Sequence, residues 1–308
     1  MRVLIAGELN PDLILRNYSQ FPEPGKEVVV EDLDLTMGSS SAICAMGLAR
    51  LGDAVTFAGT VGCDAYGSFC IETLQRAGID ISCVAQRPDL KTGITVSITS
   101  SKDRALVTYL GAIATLSPAD LPDEIFSGQN HFHVSSYYMQ EALRPGLKER
   151  FAAAHRAGLT TSLDTGYDPS ETWASDLFDT LTEVDVFLPN EVEIRKITGC
   201  RDVEEGLRKL DNGRTLVVAK LGADGCAVLQ DGQWTRVPGF PVDVVDSTGA
   251  GDSFNAGFLH TWRRGDPLAA CMRFAGACGA LSMRGLGGVA KQATETEAGA
   301  FLQAQAGS

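Results

Sequence analysis

Two carboxylates and three glycines crowd the stretch VVDSTGAGDSFNAGFL, Val244–Leu259. Gly249 and Gly251 permit unusual φ angles and let backbone approach a ligand with no Cβ in the way. The run VDVV predicts a strand or strand end, and a helix is expected to begin between Ala250 and Asp252. The first N–H groups of a helix lack internal acceptors and lie at the positive end of its dipole. Together these features make an anion hole suited to phosphate. Asp252 falls in the first turn beside it, placed to take a proton from a hydroxyl that attacks phosphorus. The plainer alternative is that Asp252 caps a helix after a flexible turn. A dinucleotide site is disfavoured, because Phe254 stands where the third glycine of G-x-G-x-x-G belongs and the motif lies late in the chain. No G-x-x-x-x-G-K-[ST] loop occurs.

Something must position these groups, and the hydropathy pattern says what. Strand-like runs alternate with helix-like ones: RVLIAGE, then SSSAICAMGLARLG closed by Gly52, AVTFAGTVG, then AYGSFCIETLQRAG closed by Gly78. Later come HFHVSS (strand), ALRPGLKERFAAAHRAG (helix), LTTSLDTG and VDVFLPN (strands), EVEIRKITG (helix), TLVVAKLG (strand) and the hairpin GCAVLQDGQWTRVPG. Helices are expected over roughly 250–264 and 267–283, with a closing helix in the tail. That alternation predicts an α/β fold, a mostly parallel central sheet with helices on both faces. One region breaks the rhythm. About 13–36 and 92–110 carry strand patterns without helices, the latter as GITVSITS and RALVTYLG around a turn at SKDR, and predict a small β-sheet standing off the main body.

Composition bounds the partners. The 308 residues carry a formal charge of −13, with 44% hydrophobic and 21% charged residues, which suits one globular domain over 1–308. An acidic chain is a poor partner for nucleic acid or an anionic membrane, yet oriented amides can still bind a small anion locally. Met1-Arg2 leads straight into VLIAG, too short for a secretory segment, and no run reaches the ~20 apolar residues of a membrane span. The eight cysteines lack a C-x-x-C pair and predict reduced, buried thiols in a cytoplasmic protein. His131 and His133 flank Phe132 at the end of a strand, where a core or strand-edge role outweighs metal binding.

The stretch DSTGAGDSFNAGF resembles the C-terminal signature of the ribokinase-like, or PfkB, carbohydrate kinases, D-T-x-G-A-G-D-x-F. The resemblance runs over nearly the whole chain in the family's order. GELNPDLIL is similar to its G-x-x-N-x-D strand end, GSSSAICAMGLARLG to its glycine-led helix, VGCDAYG to its V-G-x-D-x-x-G turn, PNEVEIRKITG to its N-x-x-E element and KLGADG to its K-x-G-x-x-G.

The resemblance implies an ATP-dependent kinase that transfers the γ-phosphate to a hydroxyl, primary by expectation, of a sugar or sugar-like molecule. Asp252 would be the general base, and the amides of Gly249, Ala250, Gly251 and Asp252 would stabilise the phosphoryl group. Asn190 and Glu193 would place Mg²⁺ and its waters; a helix cap is the structural alternative for the pair. Lys220, Gly222 and Gly225 would lie on the nucleotide side. Asp246, with carbonyls of Gly285 and Gly287, matches the family's K⁺ position. Asn10 and Asp12 would bind the acceptor, with Gly38, Ser39 and Ser40 beside them. Ile43 stands where the family usually has a sugar-binding Asn, which leaves ribose, fructose, a sugar acid or a nucleoside open. The stand-off β region would be a lid, and its open face a homodimer contact. Two other readings compete: a non-catalytic sugar or nucleotide sensor on the same fold, and a nucleotide-dependent dehydrogenase.

Overall fold

The computed structural model describes all residues except 19, 100–103, 174–175, 231 and 307–308. Among the described residues the strands fall into two sheets. The larger has the order β13-β12-β11-β10-β9-β8-β1-β4-β5. Its strands are β1 (Arg2–Ala6), β4 (Ala54–Gly62), β5 (Asp80–Arg87), β8 (His131–Val134), β9 (Thr160–Leu163), β10 (Val186–Phe187), β11 (Leu216–Lys220), β12 (Cys226–Gln230) and β13 (Gln233–Val237). From β5 to β11 every pairing is parallel, and the β11–β12–β13 edge is antiparallel.

The β1 sequence shows why this sheet sits inside. Val3 and Ile5 pack into one apolar cluster, Leu4 and Ala6 into the other. Period-two alternation thus sends neighbouring residues to opposite faces, and both faces must be covered. Helices α1 (Ser40–Arg50), α2 (Ala65–Arg76), α7 (Ala250–Trp262), α8 (Leu268–Ser282) and α9 (Glu295–Ala306) cover the first face. The second is covered by α3 (Leu147–Arg156), α4 (Asp176–Leu181), α5 (Glu191–Thr198) and α6 (Val203–Leu210). Among the described residues no helix is long and apolar enough to cross a membrane.

The smaller sheet has the order β3-β2-β6-β7, from β2 (Pro11–Arg16), β3 (Asp32–Met37), β6 (Ile94–Thr99) and β7 (Arg104–Tyr109). Only β2 and β6 pair in parallel within it. Its strands fall in the two segments expected to stand off the main body. The turn expected at SKDR lies, apart from the first residue of β7, outside the described residues.

Several expectations need correction. VDVV is not a strand: Val244 and Val245 are 59% and 63% exposed, and the N–H groups of Val245 and Asp246 both bond the Met283 carbonyl, at 2.8 and 3.2 Å. The residues have strand propensity but no neighbouring strand to pair with. The helix expected from Ala142 starts at Leu147, because Pro145 sits in a separate 3₁₀ turn, Arg144–Gly146. Strand β5 and helices α4 and α6 had no expectation. Of the eight cysteines, five are buried, Cys83 and Cys200 are half-buried, and Cys63, in the turn before α2, is exposed.

Candidate active site

Helix α7 begins where the backbone turns left-handed, at Gly249 with φ +71°. A Cβ there would lie 2.6 Å from the Gly288 Cα and 3.0 Å from the Ile43 Cγ2. Glycine is therefore required twice over, by dihedral and by space. Among the described residues the N–H groups of Gly249 and Gly251 have no acceptor, whereas Ala250 donates to the Ser247 carbonyl at 3.3 Å. The Ala250 N–H, expected among the anion donors, is engaged in closing the turn. Asp252 is half-buried and lines a cavity of about 710 Å³ directly in front of this helix mouth. Burial pushes its carboxyl well above the usual carboxylate range and Asp164 adds to this; Lys220 opposes it, Glu8 adds again, and a hydrogen bond from Ser40 opposes. When ionised, a carboxylate whose pKa is raised accepts a proton better than an ordinary aspartate.

Behind Asp252 lies a buried ionic group that no sequence motif announced. Asp164 follows β9, and one of its oxygens, Oδ2, accepts from Lys220 Nζ at 2.6 Å and also from the Asn255 amide. Its Oδ1 takes the Gly166 N–H at 2.9 Å. Burial resists ionisation of Asp164, but the Lys220 charge and these hydrogen bonds hold its carboxyl below the ordinary value. Lys220 ends β11 and reaches the helix mouth: a Cβ on Gly251 would lie 3.5 Å from its Nζ. The structure therefore brings Lys220 to the anion hole rather than leaving it with the glycines that follow it. Of those, Gly225 has φ +91° and faces the Val237 carbonyl, a packing demand, while Gly222 opens onto unoccupied space.

Asn190 and Glu193 form a capping box at the start of α5. The Asn190 Oδ1 accepts from the Val192 and Glu193 amides, each at 2.9 Å. Glu193 answers by accepting from the Asn190 backbone at 2.8 Å and from its side-chain amide at 2.6 Å. The pair does cap the helix, but Glu193 is buried rather than exposed as the plain-cap alternative expected, and it stands near the ionic group. Burial, reinforced by Asp164, raises the Glu193 carboxyl to about 7.

The acceptor end is assembled from β1, the smaller sheet and α1. Asn10 is buried and donates to the Pro11 carbonyl at 3.2 Å and the Thr95 hydroxyl at 3.4 Å, tying β1's end to β6. The Asp12 carboxylate lies over Gly38, where any Cβ would collide with it. Ser39 caps α1 with φ +68°, accepting from the Ala42 N–H at 3.0 Å and donating to the Glu8 carbonyl. Ile43 joins Ser40 in the cavity wall. Glu8 forms the floor, 1% exposed, with Ser41 Oγ at 2.6 Å, Ser136 Oγ at 2.7 Å and Gln140 Nε2 at 3.2 Å. Asn10, Asp12, Ser39, Ser40, Gly249 and Asp252 all line one cavity.

Asp246 stands apart from that cavity. Its Oδ1 accepts from the Thr248 N–H at 2.9 Å and hydroxyl at 2.7 Å, and its Oδ2 from the Gly287 N–H at 2.9 Å. Gly287 thus meets Asp246 with its amide rather than its carbonyl, and Gly285 packs against Lys291.

A family model, described as pfkB family carbohydrate kinase, matches residues 2–295. The chain belongs to this family. A relative from Halopiger xanaduensis, named ATP-dependent ribose-1-phosphate kinase, is 30% identical over 98% of each chain. A Klebsiella pneumoniae fructokinase is 32% identical over 80% of this chain and 85% of its own. A solved Escherichia coli structure, a putative ribokinase II in complex with ATP and Mg²⁺, superposes with TM-score 0.85 at 22% identity, covering 98% and 99% of the two chains. This pfkB kinase therefore has the ribokinase-like α/β fold and is a phosphotransferase acting on alcohol groups. Glu8, Ser136, Asp164 and Asn255 escaped the sequence reading. Glu8 and Asn255 nevertheless lie inside the quoted motifs GELNPDLIL and DSTGAGDSFNAGF, and Asp164 is the polar end of LTTSLDTG, the position where open α/β sheets place ligand-binding groups.

Proposed function

We propose that the chain transfers the γ-phosphate of ATP to a primary hydroxyl of an uncharged, polyhydroxylated acceptor. The observation that carries the assignment is the placement of Asp252 in the cavity at a helix mouth whose Gly249 and Gly251 amides are unengaged. Asp252 takes the hydroxyl proton, and the two amides with the helix dipole stabilise charge on the phosphoryl group in flight. Asp12 and Asn10 orient the acceptor through its other hydroxyls, with Ser39 and Ser40 beside them. Three carboxylates, Glu8, Asp12 and Asp252, line the cavity, and among the described lining residues there is no Lys, Arg or His. A sugar acid or sugar phosphate would meet repulsion there. Ile14, Leu106, Leu110, Met139 and Tyr167 give the same cavity an apolar wall, which accommodates a substituent such as a nucleobase.

Glu193 beside Asn190 supplies a carboxylate suited to Mg²⁺, which is commonly held by one or two carboxylates together with waters and phosphate oxygens, while among the described residues no group of three or more His, Cys, Asp or Glu is placed to hold a metal by itself. Glu193 and Asn190 would hold it through water, since their oxygens cap α5. When bound it would neutralise phosphate charge. Asp246 braces Thr248 and Gly287, and the K⁺ role that the resemblance gives it is kept beside that bracing as a proposal. Gly222, open to solvent beside Lys220, is assigned to the nucleotide side. The smaller sheet is assigned as a lid over the acceptor, excluding water. Its outer face carries Leu33, Leu35, Val107 and Tyr109, 54%, 39%, 61% and 53% exposed, and we assign it to a homodimer contact.

An ADP-release assay across neutral sugars, nucleosides, sugar acids and sugar phosphates tests this. Turnover confined to anionic acceptors would overturn the acceptor assignment. Acceptor binding with no ADP release from any compound would favour the sensor reading.

A further inference from the structure

We propose that Asp164 and Asn255 clamp the Lys220 ammonium at the mouth of α7 as a fixed cation facing the phosphoryl group in transfer. The inference rests on the reading that this helix mouth receives that group.

Three elements converge to build the clamp: Asp164 at the end of β9, Lys220 at the end of β11, two strands away in the sheet order, and Asn255 in α7. The side chains of Lys220 and Asp164 are 12% and 6% exposed. Lys220 Nζ donates to Asp164 Oδ2 at 2.6 Å and to Asn255 Oδ1 at 3.3 Å. Asn255 returns its amide to the same Asp164 oxygen, so the three side chains close a ring. An ammonium has three protons, and two are accounted for among the described residues. The nitrogen lies against Gly251, whose own amide is unengaged.

Stability does not explain the arrangement. Withdrawing both charges from water costs about as much as their attraction returns, and an apolar pair of similar volume often does as well. A buried pair kept at the strand ends, where such sheets bind ligands, points to a ligand instead. The cavity in front of the helix mouth has no cationic side chain among its described lining residues; Lys220 stands outside that lining and meets the mouth at Gly251. Lys220 is thus the group able to oppose phosphate charge from the protein side. Asp164 and Asn255 are positioning residues: they fix the ammonium before nucleotide arrives, which makes its field useful in the transition state.

The test replaces Lys220→Met together with Asp164→Asn, which removes both charges and strands neither. Affinities for ADP and a non-hydrolysable ATP analogue, each with Mg²⁺, are read by titration calorimetry. The expected result is a wild-type melting profile, ADP affinity within about threefold, and a preference for the ATP analogue over ADP reduced about tenfold or more. Turnover on any acceptor the wild type uses should fall ~10²–10³-fold. Should the double variant fail to fold, Asn255→Leu retains both charges and loosens one tether; its preference should fall about threefold. An unchanged preference in the folded double variant, or in Asn255→Leu if that is the one measured, overturns the clamp alone. A wild-type chain that binds neither nucleotide overturns the kinase reading and the clamp together.

Discussion

The two sheets obey opposite rules. In the larger one, successive residues of β1 enter separate apolar clusters, and helices seal both faces. In the smaller one, the face turned inward is mostly polar, with Ile14 and Leu106 among its side chains. Asp12 pairs with Thr36 and Thr95, Thr95 pairs with Thr108, and Asp12, Thr95, Ser97 and Thr108 line the cavity. The other face is apolar and turned outward, with Leu13 opposite Leu35 and Val96, and Val96 opposite Val107. A half-covered sheet ordinarily hides its apolar side. Its inversion here sets a mostly polar face toward the cavity and leaves an apolar face exposed, the arrangement behind the lid and dimer-contact proposals.

The comparison breaks first at the large sheet's end, if its chemistry is not there. Asp252→Asn should lower turnover ~10²–10⁴-fold while ATP binding, followed by calorimetry, persists. An active variant removes Asp252 as the base. Gly249→Ala is expected to cost turnover ~10²-fold, since it forces a Cβ into Gly288 and Ile43 at φ +71° and misaligns the amides. The same change should lower the melting temperature, reflecting ~1–3 kcal/mol of strain. A fully active Gly249→Ala chain would mean that the mouth of α7 holds no anion. At the small sheet's end, Asp12→Ala should raise the acceptor KM about 10–100-fold with a smaller effect on kcat, the signature of lost hydrogen bonds to hydroxyls. An effect confined to kcat would move Asp12 from acceptor binding into the chemistry.

This division also explains what could be read from residues alone. The helix mouth and Asp252 sit within a few consecutive positions, so one motif carries both the geometry and the acid. Asn10 and Asp12 were legible for the same reason. Glu8 was not, because its partners Ser41 and Ser136 arrive from 33 and 128 residues away. Asp164 and Asn255 are 91 residues apart and meet only once β9 and α7 pack. A mostly parallel sheet buried on both faces followed from strand patterning, whereas the order of its strands did not, and the same patterning misled at VDVV, where propensity lacked a pairing partner. Helix α4, of 6 residues, is too short for its period to stand out, whereas α6 was missed although it matches the expected α5 in length, 8 residues each. The small sheet's segments were visible, whereas the inversion of its faces needed the register.

That inversion can be tested without touching catalysis. Leu35→Glu combined with Val107→Glu places two charges on the outward apolar face, with neither residue among those lining the cavity. Light scattering after size-exclusion chromatography should show the wild type as a dimer and the variant as a monomer. A wild-type monomer, or a variant that stays dimeric, removes the outer face as the contact.

The smallest effect concerns the sealed interior of the large sheet. His131 and His133 are fully buried on β8, and every ring nitrogen has a hydroxyl partner. His133 bonds Ser162 and Ser135 at 2.7 and 2.8 Å; burial lowers it to about 4, with Asp164 opposing and Lys220 assisting. Burial likewise holds His131 well below the ordinary value. The unfolded chain therefore binds protons that the folded chain refuses between the ordinary value of 6.5 and about 4. The sign follows: this stabilisation is complete above pH 6.5 and is lost as pH falls through 4, by at most ~3 kcal/mol for His133. Glu193, raised to about 7, acts in the opposite sense over much of the same range, so the raw stability curve mixes the two. The readout is instead the difference between wild type and His133→Asn in denaturant melts from pH 7.5 to 4. That difference should shift in the variant's favour as pH falls. Asp53 and Asp164, whose carboxyls are lowered, enter only below that window. A pH-independent difference would mean that water or a proton path reaches β8, and that the large sheet is less sealed than its burial implies.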